Sequence, residues 1–478
     1  MVCFKCVWSN SSILVFLCTY LREITDLTPS EEDISVLQYA AWGPQGNQMV
    51  YVFENDIYYK PDVSSKAMRL TATGRNGMVV NGLSDWTYEE EILLKYPAFW
   101  WAKDGARLAY LSINNSATPF MEIHHFLGGI YPSNVLYPYP KAGSRIPSAS
   151  LFVVNLYGPA HTLEMIPPDS QNSRDSYISM VSWISSTRLT VRWLNRVQNQ
   201  SVLCVCEATT GACSERHQMA MEFWHYNQRQ EEPLFTADGS LFYLILPAKQ
   251  GARGEFLHIA SLPAQVCGVE LGGVFHRQCL TCNLFERCSV FKADFSPNQT
   301  YFTLYCLGKI MPSLLQSSDI SLLLTSQGLG GYLGLKMLTA TDQMFKCAAV
   351  MAPITDFKLY SAAFSERYLG LPNKEEHSYM AASLLDDIHK LKNENFLLIH
   401  GTADARVHFQ HSAELLSRLV KIEANYSLQL YPDEGHTLRE ERSNQHLHRT
   451  LLHYLHNCLE YDPFLNIEEE EEEDEEEE

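Results

Sequence analysis

The chain has 478 residues, of which 46% are hydrophobic and 12% aromatic, so it can bury a large core and is not globally disordered. At roughly 100–200 residues per domain, this length predicts two or three domains. The formal net charge is −20, and the acidic run at residues 468–478 supplies more than half of it. No basic cluster offsets this charge, which excludes a nucleic-acid backbone as a partner.

The first apolar stretch, residues 13–18, is far shorter than the roughly 18–20 residues that cross a bilayer. It is either the weak hydrophobic part of a secretory signal or a buried strand, and the sequence favours neither. Residues 1–21 therefore carry no domain assignment.

A repeated pattern runs through residues 22–309. An aromatic residue precedes a polar turn and then an alternating strand, and the copies begin at Trp42, Trp101, Trp183, Phe235 and Phe295. Units repeated at about 50 residues predict propeller blades, each a small twisted sheet that packs against its neighbours. A β-sandwich is the alternative, but its turns recur about every 8–12 residues without this longer repeat. We expect a β-propeller here.

Thirteen cysteines and five glycosylation sequons point to the secretory route. The sequons begin at Asn10, Asn114, Asn199, Asn298 and Asn425. The spacing of the cysteines after residue 200 favours disulfides. The rival interpretation is a zinc site, formed by His276, Cys279, Cys282 and Cys288. Zinc sites usually pair two CxxC-like segments, and this region has one, so disulfides are favoured.

The pattern changes at about residue 319, where strands and helices begin to alternate. Strands are predicted at residues 320–325, 395–400 and 427–431, and helices from Gly330 through 338, at 410–420 and at 443–460. This alternation predicts a parallel α/β domain at residues 319–462. The acidic tail at residues 463–478 has nothing to bury and is expected to be a disordered extension.

Three loops in the α/β part lie where a hydrolase carries its catalytic groups. Gly328 occupies the nucleophile position of a G-x-S-x-G-like elbow, Asp404 follows the second predicted strand, and His436 follows the third. This order is that of α/β-hydrolases, but glycine has no side chain with which to attack a carbonyl. Ser326 lies two positions too early to replace it. The alternative is that Asp404 and His436 are ordinary loop residues.

Longer motifs resemble the dipeptidyl peptidase IV branch of the prolyl oligopeptidase family. They are Gly-Leu-Gly-Gly-Tyr ending at Tyr332, Ala-Pro-Ile-Thr-Asp-Phe ending at Phe357, the segments beginning at Phe364 and His400, and Asn-Gly-Leu-Ser-Asp-Trp-Thr-Tyr-Glu-Glu-Glu ending at Glu91. Segments beginning at Tyr137, Val154, Thr187 and Thr209 resemble the non-catalytic members of this branch, which also lack the elbow serine. The resemblance implies an incomplete β-propeller joined to a partial α/β-hydrolase domain.

The resemblance also implies roles for individual residues. Glu90 and Glu91 match the glutamates that hold a substrate's amino terminus in active relatives, although a solvated acidic turn is the alternative. The positions equivalent to the proline pocket are Ile354, Phe357, Tyr360, Phe364 and Arg406, of which Phe364 and Arg406 depart from the active pattern. The implied disulfides are Cys206–Cys213, Cys279–Cys282, Cys288–Cys306 and Cys347–Cys458.

Three functional hypotheses follow. The first is an inactive, glycosylated surface protein that modulates A-type voltage-gated potassium channels, with channel subunits as partners and homodimerisation as an option. The second is a serine dipeptidase acting on X-Pro termini. The third is a nonfunctional truncated product that is retained in the secretory pathway. It is suggested by comparison with the family, because the first propeller blade and the segments near residues 266–275 and 307–319 are missing. No cofactor or metal is expected.

Overall fold

The computed structural model describes residues 4–8, 14–18, 23–26, 37–157, 161–167, 175–220, 232–236, 240–249, 255–263, 278–282, 289–295, 302–307, 322–340 and 345–460. The chain forms two compact units, the first from residues 1–119 and 145–313 and the second from residues 120–144 and 314–478. This division differs from the predicted domains, because residues 120–144 join the second unit. Backbone hydrogen bonds explain the difference: Ala142 N–H donates to the Tyr360 carbonyl at 3.1 Å, and Ala362 N–H donates to that of Pro140 at 2.8 Å.

The first unit consists of antiparallel sheets with the strand arrangement of propeller blades. Its strands are β1 (Phe4–Trp8), β2 (Leu14–Cys18), β3 (Glu23–Asp26), β4 (Tyr39–Trp42), β5 (Met49–Phe53), β6 (Asp56–Lys60), β7 (Met68–Arg69), β8 (Val79–Asn81), β9 (Phe99–Trp101), β10 (Arg107–Asn114), β13 (Ser148–Asn155), β14 (Thr162–Glu164), β15 (Ser176–Trp183), β16 (Arg188–Asn195), β17 (Gln200–Glu207), β18 (Cys213–Ala220), β19 (Leu234–Phe235), β20 (Leu241–Lys249), β21 (Glu255–Pro263), β22 (Gln278–Cys279), β23 (Ser289–Phe295) and β24 (Phe302–Leu307).

Three sheets have four strands in sequence order: β4 to β7, β15 to β18, and β19 to β22. A further sheet has the order β14-β13-β10-β8, with β9 also paired to β10, and β23 pairs with β24. The strand interpretation of residues 13–18 holds, because β2 lies between β1 and β3 in a three-stranded sheet.

The repeated aromatic residue marks the hairpin that opens each blade. In every copy it is the last residue of one strand and pairs with the first or second residue of the next. The pairs are Trp42 with Met49, Trp101 with Leu108, Trp183 with Leu189, Phe235 with Phe242, and Phe295 with Phe302. The repeat therefore arises because each blade reuses one strand–turn–strand unit.

Apolar side chains from neighbouring sheets form the cores of this unit. Val50 and Ile57 of one sheet pack with Leu108 and Val154 of the next. Met180 and Leu203 likewise form a cluster with residues of β20 and β21. Face-to-face packing of consecutive sheets is how propeller blades exclude water.

The second unit contains a parallel sheet in the order β25-β26-β27-β28 and a separate antiparallel hairpin, β11 with β12. Its strands are β11 (Phe120–His125), β12 (Ser133–Pro138), β25 (Leu322–Gln327), β26 (Phe345–Met351), β27 (Phe396–Gly401) and β28 (Ser427–Tyr431). Its helices are α1 (Leu329–Ala340), α2 (Ala362–Leu369), α3 (Glu376–Ala382), α4 (Gln410–Lys421) and α5 (Glu441–Glu460), with a 3-10 turn at Ile388–Leu391.

Both faces of this sheet are covered. On one face Val350 and Leu398 pack with Leu335 of α1 and Leu415 of α4. On the other, Leu397 and its neighbours pack against α5. Parallel sheets require such double cover because their strands are apolar on both sides. Among the described residues β25 pairs with β26 alone, so the strand that leads to Gly328 lies at the sheet edge.

Within the described ranges, no helix combines the length and the apolar character that crossing a membrane requires. The acidic tail at residues 463–478 lies outside these ranges.

Candidate functional site

Gly328 forms a sharp turn between β25 and α1. Its φ of +59° is a conformation that glycine adopts without the strain a side chain would cause. Its N–H donates to the Met351 carbonyl at 3.0 Å, and its own carbonyl accepts from Tyr332 N–H at 3.0 Å. The backbone therefore has the strand–turn–helix form of a nucleophile elbow. Ser326 does not replace the nucleophile, since its hydroxyl is buried within β25 and has no hydrogen-bond partner among the described residues.

Asp404 and His436 come together beside this turn. His436 Nδ1 donates to Asp404 Oδ2 at 2.7 Å. The other oxygen, Oδ1, accepts from the backbone N–H of Arg406 at 2.8 Å and of Val407 at 2.9 Å. These bonds fix a fully buried carboxylate and orient the imidazole ring, as in a Ser-His-Asp triad.

Two glycines allow the histidine loop to approach the sheet. A Cβ at Gly401 would lie 2.3 Å from the Glu434 carbonyl oxygen, so only glycine fits there. A Cβ at Gly328 would lie 3.2 Å from His436 Nε2. The His436 ring therefore faces the elbow position.

A second histidine, His400, lies under the Asp404 loop, with its Nε2 3.6 Å from Asp404 Oδ2. Its Nδ1 contacts Ser412 Oγ at 2.7 Å, and its Nε2 contacts the Val407 carbonyl at 2.9 Å. Burial lowers the pKa of His400, although the Asp404 charge opposes this. The ring therefore supports the loop through its contacts with Ser412 and Val407.

Four of the five residues predicted for the pocket lie together in one apolar cluster. Ile354, Phe357 and Tyr360 are buried in one apolar cluster, against which Phe364 packs. The Phe364 ring lies 5.3 Å from that of Tyr360 and 6.3 Å from that of Phe357. Arg406 is exposed and contributes backbone contacts to the Asp404 loop.

A cavity of about 250 Å³ opens beside the elbow. Phe357 and Phe364 form part of its wall, together with Leu329, Tyr332, Tyr368 and Leu369. It therefore lies towards α1 and α2 rather than among Ile354, Tyr360 and Arg406. The sequence did not predict this position, because it depends on how two helices pack.

The hairpin arm, defined as residues 120–144, contacts the loop that carries Asp404. The Tyr137 hydroxyl donates to the Ala405 carbonyl at 2.8 Å and contacts Nε2 of His408. Burial, and secondarily Lys141, lowers the pKa of His408 to about 4. At the arm's tip, the Asp433 carboxylate accepts from two backbone N–H groups, those of Phe126 and Leu127, each at 2.8 Å. Sequence analysis missed these contacts, because more than 250 residues separate the partners.

Glu90 and Glu91 lie in the first unit, on a π-helical turn at Tyr88–Ile92. Glu91 is buried, at 7% exposure, whereas Glu90 is partly exposed. A solvated acidic turn therefore does not describe Glu91. Just before the turn, Asp85 accepts from Tyr88 N–H at 2.9 Å, and burial raises the pKa of Asp85 to about 6.

Three of the four implied disulfides are present in the structure. They are Cys206–Cys213, Cys279–Cys282 and Cys347–Cys458. The fourth involves Cys288, which lies outside the described residues. His258 lies near Cys279 and Cys282, and the three side chains are grouped closely enough to ligate a metal. The disulfide occupies both sulfurs, so this group offers no thiolate pair in its oxidised form.

Three sequons fall on described residues, and their asparagines, Asn114, Asn199 and Asn425, are exposed. Asn10 and Asn298 lie outside the described ranges.

The two units match two parts of one known architecture. The family described as the dipeptidyl peptidase IV N-terminal region matches residues 15–267, and the prolyl oligopeptidase family matches residues 327–462. The chain belongs to the prolyl oligopeptidase family. Inactive dipeptidyl peptidase 10 of Mus musculus is 37% identical, over 91% of this chain and 77% of that protein. Dipeptidyl peptidase 4 of Sus scrofa is 24% identical, over 88% and 80%.

The fold agrees with that family. The crystal structure of Porphyromonas gingivalis dipeptidyl peptidase 4 superposes with a TM-score of 0.72 and 18% identity, covering 95% of this chain and 87% of that one. The alignment with the mouse protein extends over 618 residues, whereas this chain has 478. Internal segments of that relative therefore have no counterpart here.

Proposed function

We propose that this protein is a glycosylated dipeptidyl-peptidase-like protein, catalytically inactive as a peptidase, that modulates the trafficking and gating of A-type voltage-gated potassium channels. The observation that carries the proposal is the glycine at the elbow. Gly328 offers no hydroxyl to attack a peptide carbonyl, although Asp404 and His436 keep the geometry of a triad. Without its nucleophile, a serine peptidase keeps only the small rate that binding and oxyanion contacts supply.

The names of relatives support this conclusion. The mouse and rat relatives at 37% identity are called inactive dipeptidyl peptidase 10, whereas those called dipeptidyl peptidase 4 are 24% identical. The alternative, a dipeptidase acting on X-Pro termini, would need another nucleophile in place of Gly328. Ser326 is a poor candidate because its hydroxyl is buried in the strand.

Hydrolysis of a Gly-Pro chromogenic substrate tests the catalytic part. Purified full chain should release no product above the buffer rate, and porcine dipeptidyl peptidase 4 serves as the active control. Gly328→Ser alone should also stay inactive, because the resemblance places the tyrosine that donates to the oxyanion in the segment missing near residues 307–319. Product release that is abolished by His436→Ala would establish the dipeptidase alternative instead.

Co-expression with an A-type channel tests the channel part. Increased surface density and faster recovery of the current from inactivation would support modulation by this chain. Retention of the chain in the endoplasmic reticulum, with unchanged currents, would favour the nonfunctional truncated product.

Traffic through the secretory pathway to an extracellular position is part of the same proposal. Exposed asparagines in three sequons and three disulfides support it. A mobility shift on treatment with peptide N-glycosidase is the expected result, and it should become smaller when Asn114, Asn199 and Asn425 are together changed to Gln.

Homodimerisation is supported by the tip of the hairpin arm. Ile130 is 96% exposed and Tyr131 is 84% exposed, and such apolar side chains are usually covered by a partner. The hydrogen bonds from Phe126 and Leu127 to Asp433 hold this tip in place. Light scattering should give a dimer mass, and Ile130→Asp should give a monomer.

A further inference from the structure

Nε2 of the His436 ring faces the space above Gly328, and the structure records no hydrogen bond to it from the described residues. Since Nδ1 donates its hydrogen to Asp404, Nε2 carries the lone pair and can accept a proton. The point that a Cβ of residue 328 would occupy lies 3.2 Å from Nε2. Apart from the chain neighbours of Gly328, only His436 brings a described heavy atom within 4 Å of that point. No other described side chain therefore fills the position that a serine side chain takes in a triad.

The aromatic cavity begins at the same turn. Leu329, the residue after Gly328, forms part of its wall, and so does Tyr332, whose N–H donates to the Gly328 carbonyl at 3.0 Å. The rings of Tyr332 and Phe357 lie 4.9 Å apart, and those of Phe364 and Tyr368 lie 5.0 Å apart. A cavity of about 250 Å³ with such walls suits a flat, uncharged aromatic group.

We propose that the Asp404–His436 pair activates a water molecule above Gly328 and hydrolyses small, uncharged aryl esters that bind in this cavity. His436 Nε2 takes a proton from water as the water oxygen bonds to the ester carbonyl carbon. The bond from that carbon to the aryl oxygen then breaks, and the aryloxide leaves with the proton from the imidazolium. The products are a carboxylic acid and a phenol, and no other reactant is needed.

This activity is compatible with inactivity towards peptides. An aryloxide is a good leaving group, so an activated ester can be cleaved by water with one general base. A peptide amine leaves only after protonation, and its cleavage depends on the covalent intermediate that Gly328 cannot form. The inference therefore goes beyond the proposed function, and its failure would leave that proposal intact.

Steady-state hydrolysis of 2-naphthyl acetate by the purified full chain is the test, with naphthol fluorescence as the readout. General-base catalysis typically contributes about 10²–10⁴-fold, so His436→Ala should lower the rate by about a hundredfold or more. Asp404→Asn should also lower it, because the imidazole loses the acceptor that fixes its tautomer. His453→Ala, which removes an exposed histidine of α5, is the matched control and should leave the rate unchanged.

Two further variants test the role of the water position and the role of the cavity separately. Gly328→Ala places a methyl group 3.2 Å from Nε2, in the space assigned to the water, and should abolish hydrolysis while both Asp404 and His436 are retained. Tyr368→Ala removes a wall ring that is 53% exposed, so it should raise KM several-fold with little change in kcat. Thermal melting of each variant verifies that it is folded.

The mechanism also predicts that the reaction is slower in D₂O and shows no burst of naphthol, since no acyl-enzyme forms. A burst equal to the protein concentration would mean that a side chain is acylated, and would overturn the water mechanism. Full activity in Gly328→Ala, or equal rates in His436→Ala and the wild type, would overturn the assignment of the site.

Discussion

Of the three disulfides that the structure describes, Cys347–Cys458 should cause the largest loss of stability when it is removed. This bond joins β26 to the last helix, α5, across a sequence separation of 111 residues. Closing so long a loop removes much entropy from the unfolded chain, and the loop-entropy relation gives about 5 kcal/mol. The matched control is Cys206–Cys213, with a separation of 7 residues, for which the same relation gives about 2.5 kcal/mol.

The perturbation is the double variant Cys347→Ala with Cys458→Ala, compared with Cys206→Ala together with Cys213→Ala. Cys347 is fully buried and Cys458 nearly so, and alanine avoids adding a buried polar group. The α5 helix should keep its packing, because Leu447, Leu451 and Tyr454 still contact the sheet. The variant should therefore keep its native contacts. The quantity that should decrease is the free energy required to unfold α5 locally.

Amide hydrogen exchange along α5 measures that free energy. A loss of about 5 kcal/mol corresponds to exchange faster by more than a thousandfold, at 1.4 kcal/mol per tenfold. The control variant changes a hairpin of the first unit and should leave exchange in α5 unchanged. An increase below tenfold would refute the loop-entropy reasoning, because native strain or residual structure in the unfolded chain would then cancel the effect.

Three further predictions concern the site and its surroundings. Gly401→Ala should displace the loop that carries His436 and destabilise the unit by about 1–3 kcal/mol, visible as a lower urea midpoint, because the new methyl group overlaps backbone. The contribution of His408 to the stability of the second unit should fall by about 3 kcal/mol as the pH drops from about 6.5 to about 4, because its pKa is lowered to about 4 and only the unfolded chain binds a proton there over this range. The difference in free energy of unfolding between the wild type and His408→Gln should change by that amount over the same pH range. Asp433→Asn should speed amide exchange at the tip of the hairpin arm, and unchanged exchange there would mean that the carboxylate does not hold the arm.

The local elements of the second unit were largely predictable from sequence. The strand at residues 427–431 is found with the predicted bounds, and the helix from residue 410 ends one residue later than predicted. Both follow from hydrophobic periodicity, which reports how one element faces its core. The strand at Phe345–Met351 and the helices α2 and α3 are additional to the predicted elements. Residues 347–350 are buried on both faces of the sheet, so their sequence does not alternate.

The resemblance and the order of the loops identified Gly328, Asp404 and His436 as one set, because chain order fixes which strand each loop follows. Their contact was decided by tertiary structure. It requires that the Glu434 carbonyl approach Gly401 so closely that no side chain fits between them. This close approach depends on the distance between two loops, so it cannot be predicted from the sequence of either loop alone.

The hairpin arm gives the clearest contrast. Its sequence alternates in the manner of a propeller hairpin, and residues 120–144 were predicted to belong to the propeller. Hydrogen bonds from the arm to the loop of Asp404 and to Asp433 pack it onto the second unit, whereas the family match to the N-terminal region, residues 15–267, includes it. An alternating sequence shows that the two faces of a strand differ. It does not show which segment packs against each face, because that segment can lie hundreds of residues away in the chain. The fold class and the candidate site were therefore determined by the sequence, whereas the unit to which the arm belongs and the position of the cavity were decided by long-range packing.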